Sequence, residues 1–376
     1  MRLKGACVFA NAKRRNGANG QYYALNTHFC TPCACHCKIN RIFAMNYTKS
    51  IYAVMNTKEK QYVIGVDLGG TNTVFGIVSH DGDIVAEASI KTRSFPTAEQ
   101  FVDAGVECLT PLIDKVGGIS CIEAMGIGAP NGNIHTGCIE LAPNLPWKGI
   151  VPLAQMFSDR LGIDVSITND ANAAALGELI YGAARGMKDV VVITLGTGVG
   201  GGVITGGQLL YGHDGMAGEL GHVTMVRGEG GRLCGCGRRG CLETYCSATG
   251  VARTARELLS TTDRPSLLRD KSPELIEALD VSIAASKGDE LALDVFRFTG
   301  DMLGQACADF AAFSSPEAFI FFGGLAKAGD LLMQPIKESY DRNVMPVYRG
   351  KARFLISELM DRNAAVLGAS AVGRRM

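Results

Sequence analysis

Residues 62–79 read Y-V-I-G-V-D-L-G-G-T-N-T-V-F-G-I-V-S, and residues 189–205 read D-V-V-V-I-T-L-G-T-G-V-G-G-G-V-I-T. Each stretch is a β-branched, strand-length apolar run, a glycine-rich turn, and a second run. In neither does the turn open a helix. That separates both from Rossmann and Walker loops, whose glycines lead directly into one. Two glycine hairpins, one in each half of the chain, point to an internal duplication with a cleft between the halves.

Working outward from the first hairpin, D-I-V-A-E-A-S-I (83–90) reads as a third strand, with Asp81-Gly82 as the hairpin turn. A helical pattern covers 97–116, with Thr97 as N-cap and Glu99 in the first turn. I-E-A-M-G-I-G (122–128) is a strand, 152–161 a helix, V-S-I-T (165–168) a strand and 170–181 an alanine-rich helix. This order predicts a mixed sheet with an antiparallel start. The second half begins again with strands at 189–195, 201–205 and 208–211. Helices are predicted at 248–260, 273–287 and 290–314, a strand at 318–322, a helix at 328–340, a strand at 353–357 and a closing helix at 363–373.

The chain has 376 residues, a length suited to two domains, with 37 basic and 37 acidic residues. A balanced charge offers no basic excess for a nucleic-acid backbone, so no nucleic-acid partner is expected. The apolar fraction of 47% is ordinary, and no apolar run reaches the roughly 18 residues needed to cross a bilayer, so no membrane partner is expected either. Thirteen cysteines fall mainly in two clusters, five of them within the first 37 residues and four between 234 and 246. In a chain of this length that distribution is not a disulfide scaffold, and the second cluster reads as metal ligands in a reducing compartment.

The first 60 residues differ from the rest. The start M-R-L-K-G-A-C-V-F-A has a short apolar core followed by Lys13, Arg14 and Arg15, a poor secretory signal. Residues 11–50 carry neither helical nor strand periodicity, and are expected to form a disordered N-terminal extension, with Met55 as an alternative start. Cys30, Cys33, Cys35 and Cys37 with His28 and His36 leave a metal site open as the other reading.

Four motifs carry chemistry. Asp67, Gly69, Gly70, Thr71 and Asn72 lie at a strand end, where glycines let backbone N–H groups approach phosphate and the carboxylate suits Mg²⁺, held through water. Gly196, Thr197 and Gly198 form the matching turn of the second half; alone either turn is an ordinary β-hairpin, but together they suit a nucleoside triphosphate gripped from both sides. In Thr168-Asn169-Asp170, Asp170 stands where a strand meets a helix. That position fits a routine N-cap or a general base facing a cleft. His222 with Cys234, Cys236 and Cys241, in C-x-C-x₄-C spacing within a glycine-rich loop, reads as a closed tetrahedral zinc site, with Cys246 as a core thiol. Glu219 and Glu243, close in sequence to zinc ligands, would be held in place by the metal.

These residues resemble the ROK family of bacterial sugar kinases, within the actin-like and hexokinase-like ATPase superfamily. The resemblance covers about residues 61–376 and rests on G-E-L-G-H (218–222) followed by C-x-C-G-x-x-G-C-L-E (234–243), on N-D-A-N-A-A-A-L-G-E (169–178) and on T-L-G-T-G-V-G-G-G (194–202). It implies a two-lobed, α/β, ribonuclease H-like fold with two mixed-sheet domains. The lobes would be residues 61–170 and 171–360, the first completed by a closing helix at about 361–376. It implies ATP and Mg²⁺ as cofactors beside structural Zn²⁺, Asp170 as the base toward a sugar 6-hydroxyl, and Asn169, Glu219, His222 and Glu243 as sugar contacts. Gly323 and Gly324 resemble the family's adenosine turn. The chain departs from the family's P-G-x-V-D with Gly128-Ala129-Pro130-Asn131-Gly132-Asn133, similar to a glucokinase-like branch. Asn144, before Leu145-Pro146-Trp147, matches the sugar-side loop, and Trp147 is expected to pack rather than stack. The expected protein is a cytoplasmic glucokinase, homodimeric or homotetrameric. A kinase for N-acetylmannosamine or another hexose, or a sugar-responsive repressor, is the alternative.

Overall fold

The computed structural model describes residues 61–360 and 363–374. The expectations for residues 1–60, including the Cys30–Cys37 cluster, lie outside the described residues, as do Asp361 and Arg362. The strands are β1 (Tyr62–Leu68), β2 (Asn72–Ser79), β3 (Ile84–Lys91), β4 (Ile122–Gly128), β5 (Gly132–Asn133), β6 (Cys138–Glu140), β7 (Ile150–Val151), β8 (Asp164–Thr168), β9 (Val190–Leu195), β10 (Val199–Thr205), β11 (Gln208–Leu209), β12 (Ala318–Phe322) and β13 (Arg353–Ile356). The helices are α1 (Ala98–Lys115), α2 (Leu153–Leu161), α3 (Asp170–Tyr181), α4 (Glu243–Cys246), α5 (Ala248–Thr261), α6 (Ala278–Ser286), α7 (Glu290–Ser314), α8 (Asp330–Asn343) and α9 (Ala364–Gly373).

The two large sheets have the same plan. The first runs β3-β2-β1-β4-β8 and the second β11-β10-β9-β12-β13. In each, the first three strands of the half are antiparallel, and the later two join parallel to the first. The expected duplication is therefore present as a repeated topology. Both faces of the central strands are buried, which is why V-V-V-I-T-L is continuously apolar rather than alternating. Val191, Ile193 and Leu195 of β9 turn toward the core around α7 and α8, and Val190 and Val192 toward the core between the sheets. In β12, Phe319 and Phe321 face outward and Ala318, Ile320 and Phe322 inward.

The space between the sheets holds α3 and α9, and glycines let them sit close. Gly65 pairs across β1 with Gly76 of β2 and with Gly126 of β4, so three glycines form a row across the first sheet. The backbone of α9 lies on that row: a Cβ at Gly126 would run into the Ala369 carbonyl oxygen, and one at Gly76 into Val366. On the second sheet, a Cβ at Gly200 would lie 2.8 Å from that of Ala171 in α3. The helices then meet each other through Gly368 and Gly177. Gly126→Ala is accordingly expected to destabilise the fold by about 3 kcal/mol, the upper end of overpacking costs, because the obstacle is backbone rather than a movable side chain. Urea unfolding reads this, and a loss under about 0.5 kcal/mol, ordinary for a surface substitution, would show that α9 can shift off the row.

Several local expectations need correction. The helix placed at 273–287 is broken into a 3₁₀ turn, Pro273–Leu275, and α6, because Glu277 and Asp280 form a capping box that restarts the helix. The helix placed at 328–340 begins at Asp330 and extends to Asn343, since Gly329 takes the positive φ of +60° before its first turn. The strand placed at 208–211 stops at Leu209, and β10 begins at Val199, leaving only Gly196–Gly198 as the turn. The closing helix runs Ala364–Gly373. A small sheet, β5-β6-β7, fills a stretch given no strands from sequence. Two- and three-residue strands carry too little periodicity to be seen.

Candidate active site

The two glycine turns stand at matching ends of the two sheets. In the first, Gly69 N–H donates to Asn72 O (3.0 Å), closing the β1–β2 hairpin. Thr92 Oγ1 donates to Gly69 O (2.8 Å) and Arg93 Nε to Gly70 O (3.2 Å), so the segment after β3 bolts this turn in place. In the second, Gly196 N–H donates to Gly198 O (3.0 Å), and Thr249 Oγ1 to Thr197 O (3.0 Å). Thr71, Asn72, Gly196 and Thr197 are exposed. Gly323 sits against Leu195, beside the second turn, and opens the Gly324–Ala328 turn after β12.

The main chain passes from the first sheet to α3 at Thr168-Asn169-Asp170. The N-cap is Asn169, whose Oδ1 accepts from Asn172 N–H (2.7 Å). Asp170 is the first helical residue; one of its oxygens accepts from Ala171 N–H (2.8 Å). The N-cap position that sequence alone allowed for Asp170 thus falls to its neighbour, and the Asp170 carboxylate stays exposed.

Beside it lies a polar cluster. Asn169 Nδ2 is 3.5 Å from Glu219 Oε1, His222 Nε2 is 3.9 Å from Glu219 Oε2, and His222 Nδ1 is 3.9 Å from Glu243 Oε1. A Cβ at Gly198 would be 2.9 Å from Glu243 Oε2, so this carboxylate abuts the second glycine turn. Asn144 is exposed, and its carbonyl is what a Cβ at Gly70 would meet at 2.8 Å; it lies over the first turn. Trp147 is buried, donates from Nε1 to Phe95 O (3.1 Å) and packs on Phe101, as expected of a packing residue.

His222, Cys234, Cys236 and Cys241 bring their donor atoms within 4.8 Å of one another. Cys234 Sγ is 3.7 Å from His222 Nδ1, and Cys236 Sγ 3.7 Å from Cys241 Sγ. Zinc bonds of about 2.0–2.3 Å in a tetrahedron imply ligand separations of roughly 3.3–3.8 Å, which these two pairs already have, so the donor set suits that metal after a small closure of its widest pair. The Cys236 thiol is lowered to about 6 by the Arg238 backbone N–H, with the guanidinium adding to it, while burial raises Cys234 and Cys241. One thiolate is therefore ready for a cation, and the others would lose protons on binding. With Nδ1 turned to the cysteines, His222 presents Nε2 to Glu219.

The ROK family model matches residues 63–375, and with them both glycine turns, Asp170 and the Cys/His set. The chain belongs to the ROK family. The glucokinase of Streptomyces coelicolor is 37% identical over 316 residues, covering 83% of this chain and 97% of that one. The glucokinase of Thermotoga maritima is 37% identical over 318 residues, with the same coverage. Among solved structures, a ROK family glucokinase from Streptomyces griseus in complex with glucose and AMPPNP is 38% identical, with a TM-score of 0.68, covering 83% of this chain and 99% of that one.

Two features of this ROK protein's site have no sequence signal. Arg93 reads as a surface cation after a strand, yet it reaches the first turn. Arg232 reads as a solvated residue in a glycine-rich loop, yet it is buried: it donates to Thr244 O (2.8 Å) and Thr254 Oγ1 (2.9 Å), pairs with Glu257 and lies 4.6 Å over the Tyr245 ring. It fastens the Cys-bearing loop to α4, which begins at Glu243.

Asp67, at the tip of β1, is pushed up from 3.8 to about 6 by burial and secondarily by the Asp170 charge. The folded chain therefore holds a proton that the unfolded chain releases near pH 4. This contribution to stability is complete below about pH 4 and lost as pH rises through about 6. Asp67→Asn is expected to stabilise the unliganded chain at pH 8 by about 1–3 kcal/mol, with the gain vanishing at pH 4. Melting curves at the two pH values test this; an equal gain at both would mean that ionisation of Asp67 is not what costs stability.

Proposed function

We propose that this ROK protein is an ATP-dependent glucokinase that phosphorylates the 6-hydroxyl of glucose. The observation that carries the reading is the exposed carboxylate of Asp170, which accepts from Ala171 N–H while Asn169 caps the helix, beside an acceptor cluster of Glu219, His222 and Glu243 that abuts a glycine turn. Phosphoryl transfer needs little covalent chemistry from the protein; positioning and electrostatics dominate. The turns at Gly69–Asn72 and Gly196–Gly198 hold the phosphates through backbone N–H groups, and Gly323-Gly324 takes the adenosine. Asn169, Glu219, His222 and Glu243 bind sugar hydroxyls, with Asn144 from the facing loop. Asp170 accepts the proton of the attacking hydroxyl. Asp67 would hold Mg²⁺, which would supply charge neutralisation at the phosphates, and His222, Cys234, Cys236 and Cys241 would hold zinc, so that the loops carrying the two glutamates would be fixed. The working lobes are residues 61–170 with α9, and residues 171–360. Among the described residues no helix is long and apolar enough to cross a membrane. Thiolate ligands fit a reducing cytoplasm, where we expect a homodimer or homotetramer.

Glucose is expected to give the highest kcat/KM in an ADP-release assay across hexoses, with mannose and glucosamine weaker. Each acceptor left without a hydroxyl costs about 1–3 kcal/mol. A preference for N-acetylmannosamine would overturn the choice of sugar and leave the phosphoryl-transfer mechanism intact.

A further inference from the structure

We propose that Asn133 is a positioning residue: it sets Glu219 for the sugar by clasping the loop that carries Glu219 to the first half of the molecule. Glu219 needs such help. Its side chain is half exposed and its own contacts are long, 3.5 Å to Asn169 and 3.9 Å to His222, so its place is dictated by its backbone. That backbone belongs to residues 210–218, which leave β11 at the edge of the second sheet. The clasp comes from β5, where a Cβ at Gly132 would strike Thr168, just ahead of Asn169 and Asp170.

Asn133 is 3% exposed, unusual for an amide so close to a cleft. Its Nδ2 donates to Asp214 O (2.8 Å) and to Glu140 Oε1 (3.2 Å), and its Oδ1 accepts from His135 N–H (2.9 Å). One of its three hydrogen bonds crosses to a segment 81 positions away, and the other two hold its own stretch between β5 and β6. The loop is shaped for it: Gly215 has φ +82°, and a Cβ there would collide with the Asn133 amide. His135 adds a second tie, with Nε2 3.0 Å from Gly212 O and the ring edge-on to Tyr211. Because the partner is a carbonyl, Nε2 carries the proton. At its far end, Gly218 accepts from Leu220 N–H (2.7 Å) and lies against Gly201 of β10. Glu219 thus follows a short span held at both ends, one of them from across the cleft.

The inference rests on the sugar-kinase reading, and its test separates the two. Glucose KM and kcat are measured for the full chain and for Asn133→Asp, which keeps the size and the acceptor but loses the donor to Asp214. His135→Phe keeps the ring against Tyr211 and removes the N–H, and it carries the test if the first variant folds poorly. Loosening a residue that binds ground and transition states alike raises KM without lowering kcat. KM, and glucose affinity by calorimetry, are expected to weaken about five- to tenfold in Asn133→Asp, the size of one hydrogen bond, with kcat within about twofold. A merely structural role would lower the melting temperature and leave KM alone. Unchanged KM and affinity in both variants, or a fall in kcat alone, overturns the proposal. A parent chain that phosphorylates no hexose removes the sugar-kinase reading itself, and the inference with it.

Discussion

Asp170→Asn is expected to cut kcat by about 10²–10⁴-fold, the range for loss of a general base, while glucose affinity stays near that of the parent chain. The separation follows from when the group acts. A base takes the proton as the hydroxyl attacks, so its removal falls on the transition state and leaves ground-state binding. The amide keeps the shape at the start of α3, and the helix is not at risk because Asn169 supplies the cap, through its Oδ1 and Asn172 N–H. Kinetics and glucose calorimetry on the same preparation read both quantities. Near-full kcat would reduce Asp170 to a residue that merely begins a helix, and a parallel collapse of affinity would make it a sugar ligand rather than a base.

Cys241→Ser is expected to abolish zinc binding and to raise glucose KM by about 10–100-fold, the cost typical of losing a metal site's organising contacts. Cys241 is fully buried, and its sulfur lies 3.7 Å from that of Cys236. The loop it closes, residues 223–242, contains no helix or strand; two isolated β-bridges, Thr224 with Cys241 and Leu233 with Arg239, turn hydrogen bonds and the buried Arg232 hold it. Without a metal, His222 is free to turn, and the anchors of Glu219 and Glu243 go with it. Elemental analysis should find one zinc per chain in the parent and none in the variant. Fully active enzyme that contains no zinc would mean that the three thiols and the His222 imidazole only pack against one another.

What the sequence determined by itself was whatever neighbours along the chain decide. The strands of both hairpins, the N-cap at Thr97, the helix over Asp170–Tyr181 and the donor set of the candidate metal site all have their information within about twenty residues, in periodicity, capping chemistry and thiol spacing. The resemblance to a family then supplied roles that no local pattern carries. Tertiary structure alone decided the rest. Sequence alone offered Asp170 as a helix cap, and the crossing from β8 instead places Asn169 at the cap and Asp170 inside the first turn. The glycines at 65, 76 and 126 are unremarkable in three separate strands; only the register that places them side by side makes a floor for α9. Arg232 and Asn133 read as surface polar residues, because burial of a polar group is repaid by partners far along the chain. For Asn133 that partner is Asp214, 81 residues away, and no local pattern records it.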